Sequence, residues 1–152
     1  MALPLFIRRL IAPVEVKLVL SALSEEVKRI DNAAITTTTI HPSIATNIIT
    51  SRAVDDILRY ANQIKGDIQN GRSPRILALF FMMKVARDYL ASGKFAIWAG
   101  IYRGMNSLSM QGQAIYGLNA YCLDELTKLG EFTQEQKAAA LKATKEEIRI
   151  MG

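Results

Sequence analysis

One stretch decides more than any other what this chain can fold into. From Ile76 to Met83 every residue is apolar, and Val85, Ala86, Tyr89 and Leu90 continue the run. Apolar side chains thus cover nearly the whole circumference of a helix through Met83, a pattern buried only when other helices surround it. Both ends are marked. Ser73 is a good cap and Pro74 a good first residue, where a missing N–H costs nothing. Gly93 is placed to close the far end. Lys84 and Asp88, four apart, are expected to pair on the polar strip that remains. The unbroken apolar run is eight residues, far short of the roughly 20 that cross a bilayer.

The rest of the chain reads as helices packed around this one, with no convincing strand. Pro13 opens the first, with Val16, Leu20, Leu23, Val27 and Ile30 at three- and four-residue spacing as its buried face. Glu25, Glu26, Lys28 and Arg29 fall on its polar side, and it ends near Asp31-Asn32. Four threonines follow in the stretch from Ile35 to Pro42, where their restricted χ1 predicts a connector. A second helix starts between Ser43 and Ser51 and runs to about Gln69. Ile48, Ile49, Val54, Ile57, Leu58, Ala61, Ile64 and Ile68 mark its buried side, and Asn70-Gly71 stops it. After the central helix comes a short one near Phe95 to Arg103. The next runs from about Ser109 to Leu129 and ends at Gly130, with Gly112 and Gly117 weakening it or allowing close packing. Thr133 and Gln136 form a capping box ahead of a last helix, Lys137 to Met151. Its apolar residues, Ala140, Leu141, Ile148 and Ile150, are sparse, so it is expected to pack loosely or fray. At 152 residues with no dividing linker, the expectation is one compact all-α domain, 1–152. Residues 1–12, apolar with Arg8 and Arg9 and no acid, stand apart as a flexible or targeting stretch.

Composition narrows the chemistry. One His and one Cys cannot furnish a Cys/His zinc site, and one Cys cannot form an internal disulfide framework. A lone thiol suits a reducing compartment, so the expected location is the cytoplasm, or a host cytoplasm for a secreted effector. His41 precedes Pro42 and reads as a loop residue rather than a base or ligand. Cys122 shares an apolar face with Leu118, Leu126 and Leu129 and reads as a small core residue. Trp98, Met82 and Met83 also read as core. Asp55-Asp56 and Glu146-Glu147 are neighbours on helices, where adjacent side chains point about 100° apart, so neither pair converges. No glycine-rich phosphate loop and no nucleophile elbow is present. We therefore expect no cofactor, no bound metal and no covalent catalysis. The net charge is +5, a mild excess that suits an acidic partner, RNA or an anionic membrane surface. Its basic residues are scattered, with Arg8-Arg9 and Lys28-Arg29 as the only adjacent pairs. A solvated basic surface, without a nucleic-acid partner, is the expectation.

The middle of the chain carries a resemblance. Arg75 opens the long apolar helix, followed by Phe81, Val85-Ala86 and Leu90. Ser92-Gly93-Lys94-Phe95 forms the next turn, Ile101 lies in a short helix, and Gly104-Met105-Asn106-Ser107 follows. This succession resembles the catalytic domain of Ras-family guanine-nucleotide exchange factors. There an Arg opens a long apolar helix with a Val-Ala pair and a Leu. An Asn-Asn-Phe turn, a short helix and Gly-Leu-Asn-Ser come after it. The intervals from Arg75 to Phe95 and from Phe95 to Asn106 match without a gap, within a similar segment at about 52–118. The chain departs from the family at Gly93-Lys94, where two Asn are usual. Gly112-Gln113 and Tyr116-Gly117 stand where the family has Arg-Leu and Thr-Trp or similar, and no segment corresponds to its protruding helical hairpin.

The resemblance implies part of that family's helical core and a small GTPase of the Ras superfamily as partner. It implies guanine-nucleotide exchange at most: preferential binding of the nucleotide-free GTPase weakens nucleotide affinity by linkage, with no bond made or broken. Carried over by position, the partner-binding residues are Ala99, Arg103, Asn106 and Gln111. Arg103 would meet an acidic switch, and Asn106 offers both donor and acceptor. The alternative from another class is a helical interaction or adaptor module, including a bacterial effector, without exchange activity.

Overall fold

A computed structural model describes residues 4–32, 42–91 and 107–151. Among the described residues there are seven helices and no strand. They are α1 (Leu5–Ile11), α2 (Val14–Asn32), α3 (Pro42–Arg59), α4 (Ala61–Gln69), α5 (Pro74–Ala91), α6 (Ser107–Lys128) and α7 (Gln134–Met151). The expected all-α multi-helix architecture is what the chain adopts. α5 stands at its centre and packs against α2, α3 and α6. Its Leu77, Ala78, Leu79, Met82, Val85 and Ala86 are buried, while Ile76, Phe80, Phe81 and Met83 are partly buried against the same core. The continuous apolar circumference is thus used on three sides, which explains why the helix has no one-sided polarity.

Local chemistry sets most helix ends where the sequence places them. α4 and α6 both close in the same way. The N–H of Arg72 donates to the carbonyl of Asp67 at 3.0 Å, and that of Gly71 to Ile68 at 3.0 Å. At the end of α6, Glu131 donates to Leu126 at 2.9 Å and Gly130 to Thr127 at 3.0 Å. Each pair consumes carbonyls that the helix itself leaves open, and the reversal requires a left-handed residue. Gly71 and Gly130 supply it, at φ +93° and +85°. At the start of α7 the N–H of Thr133 donates to Gln136 Oε1 at 3.0 Å, and the N–H of Gln136 donates to Thr133 Oγ1 at 3.1 Å. That is the reciprocal cap expected from these residues.

Four readings are corrected. The sequence assigns no helix to 1–12, yet α1 occupies Leu5–Ile11 and is tied to α3 by Arg8, whose guanidinium meets Asp55 at 3.0 Å. The single helix expected up to Gln69 bends at Tyr60 and divides into α3 and α4. Tyr60 leaves helical geometry at φ −98°, ψ 28°, while its N–H still reaches Asp56 and its carbonyl still accepts from Ile64. No Pro or Gly marks the bend; it lets α4 pack against α2 through the buried Ile64. The buried stripe of α2 is Val16, Val19, Leu23, Glu26 and Ile30, with Leu20 and Val27 only partly buried. The seam is therefore turned from the expected one and contains Glu26, which the sequence places on the polar side. Leu129, expected beside Cys122 on the apolar face, is exposed. The connector with His41, the turn at Gly93, the helix expected near Phe95 to Arg103 and Trp98 lie outside the described residues.

Candidate functional site

Ala99, Arg103 and Asn106 lie outside the described residues, and Gln111 stands in the second turn of α6 with its side chain outside them as well. Of the exchange-factor-like segment, 52–91 and 107–118 are described, and the helix that precedes these positions is α5. Its quoted residues divide into two groups. Val85 and Ala86 are buried in the core, and Arg75 is engaged internally. Phe81 is half-buried and faces outward beside Tyr60, ring centroids 6.3 Å apart.

Arg75 belongs to a polar cluster that joins three helices. Glu26 of α2 is fully buried. Its Oε1 accepts from Arg29 one turn along and from Nε of Arg75 at the start of α5. Its Oε2 accepts from the Tyr121 hydroxyl of α6 at 2.7 Å. Arg75 spends a second nitrogen on Glu125 of α6, at 2.8 Å. Both oxygens of the buried carboxylate thus accept hydrogen bonds, three in all, as burial of such a group requires. The hydrogen bond to Glu26, seconded by Glu125, holds the Arg75 guanidinium above its ordinary range. Burial and the bond to Glu26 push the Tyr121 phenol up. Burial also pushes the neighbouring Cys122 thiol up, with Glu26 and Glu125 adding to the effect. A thiol held neutral at pH 7 is a poor nucleophile. The cluster is thus a set of mutual partners holding α2, α5 and α6 together.

Sequence reasoning missed Glu26, although a signal existed. Val16, Val19, Leu23, Glu26 and Ile30 follow an alternating three–four spacing, with an acid standing at an apolar position. A carboxylate on such a seam must find cationic or hydroxyl partners from the helices packed on it.

The outward face of α5 is different. Phe80 and Phe81 stand between two open clefts. One, of about 410 Å³, is bounded by Tyr60, Ile64, Arg72 and Leu77; the other, of about 380 Å³, by Met83, Arg87 and Asp88. Arg72 lies over the Phe80 ring at 5.6 Å, and the Phe132 ring meets Phe80 edge-on at 5.7 Å. Lys84 borders both clefts, bonds Asp88 at 2.9 Å as expected and comes within 3.7 Å of Asp56. The bond to Asp88 raises its basicity. Asp55 and Asp56, expected to diverge, share Arg59 and border one cleft with Arg52, Lys84 and Asp88; beyond that Asp55 meets Arg8 and Asp56 meets Lys84. Among the described residues no cluster of His, Cys, Asp and Glu has a composition able to hold a metal ion. No helix among them is long and apolar enough to cross a membrane.

Comparison with family models, with curated proteins and with solved structures returned no match.

Proposed function

We propose that this domain acts by docking, as a helical module that binds a small GTPase of the Ras superfamily. The observation that carries the reading is the outward face of α5. On the helix whose residues resemble the exchange factors, Phe80 and Phe81 separate two clefts bordered by Arg72, Lys84 and Arg87. An apolar floor edged by charges of both signs, Asp67 and Asp88 among the cations, suits a partly apolar protein surface with polar groups at its rim, such as the switch region of a GTPase. By the resemblance, Ala99, Arg103, Asn106 and Gln111 are the residues that would contact the GTPase. Exchange is expected to be weak or absent because no segment corresponds to the hairpin that opens the nucleotide site.

The test is capture of nucleotide-free and nucleotide-loaded Ras, Rap and Rab proteins, with release of a fluorescent guanine nucleotide measured in parallel. Preferential capture of a nucleotide-free form is expected. Arg103→Glu should weaken it while leaving helix content unchanged, by about 2–5 kcal/mol if the contact is buried and by less at a rim. No capture in any nucleotide state overturns the GTPase reading and leaves the interaction or adaptor module. Capture that is indifferent to Arg103→Glu overturns only the placement of the face.

A further inference from the structure

Among the described residues, five of the seven exposed large apolar side chains lie between positions 6 and 18. Phe6, Leu10 and Ile11 of α1 and Val14 and Leu18 of the first turns of α2 fall within one short stretch, the first four at 65–70% exposure. Phe6 and Leu10 are one turn apart on one face of α1. Hydrophobic side chains scattered singly on a surface need no explanation, but a contiguous group does. The expected reason for exposure, a segment without structure, does not apply. α1 is helical, and Arg8 fastens it to Asp55 of α3.

Two further observations bear on what covers this face. The first is charge. Residues 1–14 contain Arg8 and Arg9 and no acid. Arg9 and Lys17 are exposed, and neither has an ion-pair partner among the described residues. Of the acids along this stretch and the helix it touches, Glu15 accepts from the Gln69 amide at 3.3 Å, and Asp55 is shared between Arg8 and Arg59. The second is area. Five partly exposed side chains offer on the order of 500 Å², within the range of single surface patches and short of the roughly 800 Å² that each partner of a stable protein complex contributes. A small apolar face with unpaired cations beside it fits a surface that supplies depth and negative charge rather than a matching shape. An anionic lipid bilayer does this: apolar side chains enter the acyl boundary and Arg and Lys remain among the headgroups.

We propose that α1 and the start of α2 form a peripheral docking face for anionic membranes, with Phe6, Leu10, Ile11, Val14 and Leu18 inserting and Arg9 and Lys17 meeting phosphate or carboxylate headgroups. The GTPase reading is not needed for it, since that face lies on another helix. The test is co-sedimentation of the full chain with phosphatidylcholine vesicles containing or lacking about 30% phosphatidylserine, a content that gives a strongly negative surface. Binding is expected only to the anionic vesicles and should fall as salt is raised. Leu10→Ser with Ile11→Ser should reduce the partition coefficient by roughly tenfold or more, because several buried CH₂ groups are lost. Arg9→Glu should reduce it by about tenfold, a change of two charges. All these positions are exposed, and circular dichroism checks that the fold is kept. No binding to anionic vesicles overturns the proposal. So does binding unaffected by the double Ser variant, or a dimer in sedimentation that the same variant abolishes without any lipid partition.

Discussion

Glu26 is the residue on which most depends. It lies on the apolar seam of α2 with no exposed surface, and its carboxylate is the shared acceptor for Arg29, Arg75 and Tyr121. A buried ion pair adds little over a well-packed apolar replacement, but breaking one by removing a single partner leaves uncompensated polarity. Glu26→Ala is therefore expected to cost about 3–5 kcal/mol, read as a lower urea midpoint. Replacing the cluster together, Glu26→Leu with Arg75→Met and Tyr121→Phe, should cost clearly less than the separate changes added, because the fully buried carboxylate goes with its partners and the part-exposed Glu125 keeps Lys128. Additive losses would show that the three side chains do not act as one unit.

At the scale of elements, the helix ends were readable because glycine reversal and capping are chemistry between near neighbours. Asn70-Gly71, Gly130 and the Thr133–Gln136 box needed no tertiary information. The bend at Tyr60 and the turned seam of α2 were not readable, because both arise from what packs on the helix. An acid such as Glu26 looks like surface until the partner helices bring Arg75 and Tyr121 to it. Of the candidate site, Ala99, Arg103 and Asn106 fall outside the described residues, so the structure speaks only for the scaffold before them.

The last helix was expected to pack loosely for want of apolar residues. Among the described residues its attachment to α6 includes two polar contacts. Asn119 Nδ2 donates to the buried Thr144 Oγ1 at 2.8 Å, and Lys137 reaches Asp124 at 2.8 Å. Thr133→Ala should remove about 0.5–2 kcal/mol through the lost cap. Because elements with few apolar contacts open first, faster amide exchange should be seen in 134–146 than in α5. Lys137, followed by Lys128, lowers the Asp124 pKa. A carboxylate depressed on folding stabilises above its free value of about 3.9, and that contribution is lost as pH falls through the native value. Acidification below about pH 4 should therefore loosen α7 in the parent chain. In Asp124→Asn this acid-dependent step should be smaller, as followed by exchange of the same amides.

Across the whole molecule, stability is centred on α5. Leu79 is fully buried there, whereas Phe80 is half-buried beneath Arg72 and Phe132. Leu79→Ala should cost about 2–5 kcal/mol and lower the melting temperature by roughly 4–20 °C for a domain of this size. Phe80→Ala should cost less than a fully buried Phe would, and a larger loss at Phe80 than at Leu79 would contradict the assigned centre. The bond between Glu26 and Tyr121 also spans 95 positions of the chain. During synthesis the carboxylate emerges first and its hydroxyl partner follows after roughly 5–20 s of elongation. Over that interval α2 exposes a seam interrupted by a hydrated negative charge, a poor surface for premature self-association. The same side chain that joins three helices in the finished core gains its last partner only when the sixth helix has been made.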